Sequence, residues 1–231
     1  MSAATPSVRQ MAVSIDSGHG PLHGLLTLPD QASALVVLAH AGPSPEARDE
    51  ALAVILRHAR IGTLTLDLLT PSEERFDDNH HNVPQLAKRL LDGLLLIKQR
   101  MLTDELPKLP IGLCAAGDCS PVVLRVAAQR DHDIFAIVCR GGLIDLAGMM
   151  YLHLLASPLL VLVGQDDERL VASTRRALHE LACPNELQLL PASADSPDSG
   201  EDFESVARET AHWFVRHLPT TVAAATAPGR A

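Results

Sequence analysis

Hydrophobic positions along this chain change their period in a regular order. Val8 to Ile15 and Leu22 to Leu28 alternate weakly between apolar and polar, and Asp16-Ser17-Gly18-His19-Gly20-Pro21 separates them. That pattern predicts a hairpin with a glycine-rich loop. Ala34 to Ala39 is a continuous apolar run, as expected of a strand covered on both faces. His40-Ala41-Gly42-Pro43-Ser44-Pro45 breaks it, and a helix fits residues 45–59, with acids early and Arg57, His58 and Arg60 late. Ile61 to Leu68 is the next strand, followed by a polar loop from Thr70 to Asn82 that holds Asp77-Asp78-Asn79-His80-His81-Asn82. A helix from Val83 to about Arg100 carries Leu86, Leu90, Leu91, Leu94 and Leu95 as its apolar positions.

A second half repeats the alternation. An apolar run ending near Gly117 leads at once into a helix over Pro121 to Gln129. Strand Ile134 to Cys139, loop Arg140-Gly141-Gly142 and a short helical piece near Leu146 to Leu155 come next. Strand Leu159 to Val163 ends at Gly164-Gln165-Asp166-Asp167, and a helix from Glu168 to Leu181 precedes strand Glu186 to Leu190. A loop rich in Ser, Asp and Pro covers Pro191 to Gly200, and the last helix, Phe203 to Leu218, places Val206, Trp213 and Phe214 on an apolar face.

Solid apolar strands alternating with helices predict an α/β fold, a doubly wound, mostly parallel sheet with an antiparallel N-terminal hairpin and little or no lid. One domain is expected over residues 1–218, with a disordered Ala/Thr/Pro/Gly tail at 219–231. In such sheets ligands bind beyond the carboxyl ends of the strands. The loops after Ala39, after Leu68, around Gly117, after Val163 and after Leu190 should therefore converge on one site.

Composition narrows the function classes. Of 231 residues, 47% are hydrophobic and only 3% aromatic, so the core must be mostly Leu, Val, Ile and Ala. A net charge of −9 with 19 unclustered basic residues disfavours nucleic acid and anionic membrane surfaces. Cys114, Cys119, Cys139 and Cys183 form no C-x-x-C pair and read as buried free thiols in a reducing compartment. With no basic-plus-apolar leader and no span-length apolar run, the expected location is the cytoplasm. No cofactor and no metal are expected. A small-molecule ligand, a protein partner or a second copy of the chain are the partners left open.

The run LPIGLCAAGDCS, from Leu109 to Ser120, has the layout of strand, sharp turn and helix. It occurs with LVVLAHAG (Leu35–Gly42), TLTLDLLTPSEE (Thr63–Glu74), VPQLAKRLLDGL (Val83–Leu94), VCRGGLIDLAG (Val138–Gly148), LLVLVGQDDE (Leu159–Glu168) and LQLLPAS (Leu187–Ser193). In that order the stretches resemble the dienelactone-hydrolase-like branch of the α/β-hydrolase superfamily over about Val8 to Leu218. The resemblance implies a Ser-His-Asp site whose serine sits at the sharp turn. Here the serine slot is Gly117, the acid falls on Asp167 with Asp166 adjacent, and the histidine slot is about Asp195. No histidine occurs between Cys183 and Thr210.

A serine hydroxyl needs a positioned imidazole to take its proton, and an acid to orient that imidazole. Gly117 and Asp195 supply neither, so the serine-hydrolase mechanism loses its reagents, while a glycine adopts the strained apex without cost. The resemblance also implies that His40-Ala41-Gly42 lends one oxyanion-hole N–H and that Asp118, just past the apex, lends the other. His40 has a second reading, a brace for its loop.

Cys114 is a rival nucleophile, since Gly112-Leu113-Cys114-Ala115-Ala116-Gly117 is close to the G-x-C-x-G-G of dienelactone hydrolases proper, and it reads equally as a buried strand cysteine. Cys119 stands at a helix start, where the dipole favours a thiolate. His80 and His81 lie at the same mouth as Asp77 and Asp78 and read as a solvated loop, a metal site or a substitute base. Arg140 either faces the pocket and holds a carboxylate or ties down its loop. Two functions follow: a hydrolase-fold protein with a degenerate triad that binds a small molecule or protein, or a hydrolase of small esters or lactones using Cys114 or a rearranged base.

Overall fold

Eight strands and seven helices follow the expected order in the computed structural model, which describes residues 8–42, 46–129, 134–191 and 200–219. The strands are β1 (Val8–Asp16), β2 (Pro21–Pro29), β3 (Ala34–His40), β4 (Ile61–Asp67), β5 (Ile111–Ala116), β6 (Ile134–Arg140), β7 (Leu159–Gly164) and β8 (Asn185–Leu190). They form one sheet in the order β1-β2-β4-β3-β5-β6-β7-β8. β1 pairs with β2 and β2 with β4 antiparallel, and the remaining five pairings are parallel. The mostly parallel sheet with an antiparallel N-terminal hairpin is therefore as anticipated. The tail beyond 219 and Asp195 lie outside the described residues.

Strand composition and position agree. β3 and β7 are buried along their whole length, as strands covered on both faces must be, whereas β8 at the edge keeps polar, half-exposed positions. One face of the sheet packs against α3 (Val83–Leu102), α4 (Ser120–Gln129), α5 (Met149–Leu154) and α6 (Glu168–His179). The other packs against α1 (Glu46–His58) and α7 (Gly200–Arg216), where Trp213 and Phe214 are core residues as expected. Neighbouring β5 residues divide between these faces: Leu113 and Ala115 belong to the first, Cys114 to the second.

Two details depart from the pattern read in the sequence. The polar stretch before α3 contains one turn of helix, α2 (Asp77–His80), where a loop was expected. On α3, the buried stripe runs through Leu86, Leu90, Leu94, Ile97 and Met101 and leaves Leu95 47% exposed. A straight 3.6-residue period moves the stripe off Leu95 and onto the later positions.

That stripe also includes Arg89, which is 3% exposed. Its guanidinium forks onto Glu73, with Nη2 donating to Oε1 at 2.6 Å and Nη1 to Oε2 at 2.9 Å, and Nη1 also donates to the Leu68 carbonyl at 2.8 Å. Glu73 accepts two further bonds on Oε2, from the Thr70 N–H and hydroxyl. A buried charge is tolerated when it is paired and its remaining groups are hydrogen-bonded, and both conditions hold here. The pair fixes the course of the chain from the end of β4 into α2.

Those same bonds hold the Glu73 carboxyl well below its ordinary 4.5, at about 2, the Arg89 hydrogen bonds being the largest cause. A carboxyl with a depressed folded value stabilises the fold above its ordinary value, and that stabilisation is lost as the pH falls from about 4.5 toward 2. The shift corresponds to roughly 3 kcal/mol. Urea unfolding as a function of pH is expected to show Glu73→Gln less stable than wild type by a few kcal/mol (about 3) at neutral pH. The deficit should shrink as the pH approaches about 3, and a constant deficit would refute the assignment.

Candidate functional site

At the carboxyl end of β5 the chain turns through Gly117–Cys119 straight into α4. Gly117 is at φ +52°, a left-handed conformation that a residue with a Cβ enters at a cost on the order of 1–3 kcal/mol. A side chain built on Gly117 would meet no atom within 4 Å, so the space above the apex is open. The apex is held from one side by the loop after β6. Gly142, at φ +81°, lies so close that a Cβ there would collide with the Gly117 carbonyl. The Ser120 hydroxyl donates to the Gly141 carbonyl at 2.7 Å and binds that loop to the start of α4. Ser120 is fully buried and engaged in this bond.

Beside the apex lies a cleft of about 420 Å3, a size suited to a small molecule. Its apolar walls are Val83, Pro121, Leu143, Leu146 and Leu170, and its polar groups are His81, Asp118, Asp167 and Arg169. The loops after β4, β5, β6 and β7 thus meet at one mouth. Asp167 caps α6, its Oδ1 accepting the Leu170 N–H at 2.9 Å, and still borders the cleft. Asp118 turns toward His81, with Oδ1 3.5 Å from Nδ1, and both side chains are more than half exposed.

His80 does something different from its neighbour. Nδ1 lies 2.7 Å from the Ala41 carbonyl and Nε2 2.9 Å from the Glu74 carbonyl. Two carbonyls can only accept, so both contacts are satisfied as hydrogen bonds only when both ring nitrogens carry protons, and the pair of contacts favours the charged ring. The Glu74 hydrogen bond is the largest cause raising its pKa above 6.5; the Ala41 bond and the Asp77 and Asp118 charges add to it, while burial opposes. The ring ties the loop after β3 to the loop after β4 through both of its nitrogens. It also sits where a Cβ on Gly42, at φ +110°, would strike the ring.

The other sequence candidates separate. Cys114 is 1% exposed inside β5, on the face packed by α1 and α7. Cys119 is 2% exposed, and burial, with the Asp118 charge next, pushes its thiol up to about 12, against the lowering expected of a helix start. All four cysteines are buried free thiols. His40 is buried at the end of β3 and Ala41 follows it in the clamped loop. Arg140 is absent from the cleft lining, and its guanidinium lies over the Phe203 ring, 5.5 Å from the centroid. Sequence reading missed the Glu73–Arg89 fork and the double engagement of His80. The placement of Arg89 on the apolar stripe of α3 was the available sign of the first.

No protein-family model matches the chain. It is 32% identical over 220 residues to two Mycobacterium tuberculosis proteins, from strains CDC 1551 and H37Rv, each named "putative phosphoribosyl transferase". The match takes in 94% of this chain, which spans about half (48%) of the length of those relatives. Among solved structures, dienelactone hydrolase from Anabaena variabilis superposes with a TM-score of 0.81 and 28% identity, over 92% of this chain and 99% of that one. Est1E from Butyrivibrio proteoclasticus shares the fold with a TM-score of 0.72 and 14% identity, over 90% and 98%.

The doubly donating His80 carries a pH signature. A histidine whose folded pKa is raised contributes stability that is complete below its unfolded value near 6.5 and is lost as the pH rises through the folded value. His80→Gln is expected to be less stable than wild type by roughly 1–3 kcal/mol at about pH 6, with the deficit narrowing at alkaline pH. Chemical denaturation at a series of pH values measures this. A deficit that widens with pH would overturn the imidazolium.

Proposed function

We propose that this chain, which has the α/β-hydrolase fold of dienelactone hydrolase, binds a small molecule in the cleft beside Gly117 and forms no acyl-enzyme. The observation that carries the reading is the apex itself. A left-handed turn with open space above it, the place for a nucleophile, holds a residue with no side chain. Neither nearby sulfur substitutes for it. Cys114 is enclosed within the sheet, and Cys119 stays a protonated, buried thiol at neutral pH. His80 cannot serve as the relocated base, since both nitrogens are spent on carbonyls. The resemblance puts the family's histidine slot at about Asp195, a carboxylate.

A ligand with an apolar body fits the Val83, Leu143, Leu146 and Leu170 walls, and its polar end would meet Asp118, His81, Asp167 and Arg169. The transferase name of the mycobacterial relatives belongs to proteins twice this length, and the hydrolase fold of the matched half supports no such activity here.

Covalent trapping tests the reading. A fluorophosphonate probe and iodoacetamide are expected to leave the native protein unlabelled at neutral pH. Gly117→Ser should destabilise by about 1–3 kcal/mol through its positive φ, and should gain neither fluorophosphonate labelling nor burst kinetics with p-nitrophenyl acetate. Stoichiometric labelling of the wild type would show that a nucleophile is already in place, and labelling of the serine variant that a base is.

A further inference from the structure

We propose that the outer edge of β8 is a self-association surface, on which a second copy of this chain adds its own β8 antiparallel and joins two sheets into one. β8 ends the strand order, and among the described residues no strand lies beyond it. The Pro184 carbonyl accepts the Leu159 N–H at 3.0 Å, and the Leu190 carbonyl accepts the Gln165 N–H at 2.9 Å. Those two bonds start and close the ladder to β7, whose register is unbroken from Asn185 to Leu190. Alternate residues of a parallel strand serve one neighbour, so Glu186, Gln188 and Leu190 bond to β7. The N–H and C=O of Asn185, Leu187 and Leu189 therefore point away from the sheet, toward the place of a next strand. Edges of this kind are normally blunted by lysine, proline or a bulge, and β8 has none of the three. Its one charge, Glu186, is matched by Arg216, with Nη2 donating to Oε2 at 2.8 Å. The opposite edge, β1, carries Arg9 near one end and Asp16 at the other.

The side chains decide which strand fits. Leu187 packs against the core on the α6 side, and Leu189, 41% exposed, shares that face by the two-residue period. Both leucines line a notch of about 380 Å3 together with Leu178, Arg175, His179 and Asn185. A second β8 related by a twofold axis through Gln188 sets Leu187 opposite the partner's Leu189, and Leu189 opposite the partner's Leu187. Both leucine pairs then exchange N–H and C=O bonds, because the outward-pointing residues are the ones that meet. Two other axes fit worse. An axis through Leu187 sets Asn185 opposite the partner's Leu189. An axis through Glu186 sets two carboxylates directly opposite, which destabilises a strand pair. With the axis on Gln188, the two glutamates stand four residues apart along the strand, roughly 13 Å. The sequence from Asn185 to Leu190 is thus matched to itself, and this favours a second copy over a foreign strand. Pairing reverses the strand direction, so the two clefts, each at the carboxyl ends of its own parallel strands, open at opposite ends of the joined sheet.

Sedimentation of the full chain over a concentration series measures the association. Wild type is expected to pass from one-chain to two-chain mass. Leu189→Lys enters the interface twice through the twofold axis and is expected to raise the dissociation constant at least about tenfold. Leu102→Lys, at a leucine 76% exposed on α3, is expected to leave it unchanged. Oxidative cross-linking reads the register. The four native cysteines are buried, so an introduced surface thiol is the one that reacts. Gln188→Cys is expected to give a disulfide-linked dimer on mild oxidation, since a residue on the axis meets its own copy within disulfide reach. Glu186→Cys, too far from its copy, is expected to give none. A wild type that keeps one-chain mass at submillimolar concentration would overturn the proposal. So would a dimer that Leu189→Lys leaves intact, or one in which Gln188→Cys links no better than Glu186→Cys. The two cysteine variants decide the matter even where Leu189→Lys fails to fold.

Discussion

A single close approach of backbone to backbone organises the functional end of this protein. The left-handed turn at Gly117 ends β5 and starts α4 without a linker, and Gly142 of the neighbouring loop lies against its carbonyl at a distance no Cβ allows. Because β5 and β6 are adjacent and parallel, the turns at their carboxyl ends must share space. Ser120 fastens them with one buried hydrogen bond. Everything that borders the cleft on that side, from Pro121 to Leu143 and Leu146, takes its position from this contact.

The opposite side of the cleft is fixed by charge. Glu73 and Arg89 anchor the segment after β4, and His80 joins that segment to the loop after β3 through two carbonyls. These two devices respond to pH in opposite directions. The Glu73 carboxyl gives up its contribution as the pH falls, and His80, whose pKa is raised, gives up its contribution as the pH rises. His81 projects from that clamped segment, and its place beside Asp118 is inherited from a neighbour that does no chemistry itself.

The fold was readable because continuous apolar strands have one stable use, a sheet covered on both faces, and β3, β5 and β7 are such runs. The apex was readable too, since small residues between a strand and a helix leave few alternatives to a sharp turn. What escaped was everything set by side-chain direction at long range. Glu73 and Arg89 are 16 residues apart, and periodicity puts Arg89 on the buried stripe without naming its partner. Arg140 ends a strand whose last side chain can face either layer, and packing against Phe203 on α7 decided it. His80 and His81 look alike in sequence, yet one turn of helix gives them different places, one held between two backbone carbonyls and the other lining the cleft.

Glycine at the apex changes the energetics of the turn more than its shape. A serine there would store on the order of 1–3 kcal/mol of backbone strain, whereas glycine holds the same φ freely. The strain disappears, but the contacts with Gly142 and Ser120 still force the turn, so the room for a carbonyl remains. The apex therefore offers open space and no side chain of its own. His81 and Asp118 border the cleft beside it, with Nδ1 3.5 Å from Oδ1. Both side chains are more than half exposed, so water screens the pair. Binding of an apolar ligand against Leu143 and Leu146 would expel that water and strengthen the contact, so ligand occupancy and the His81–Asp118 interaction are coupled within one cleft.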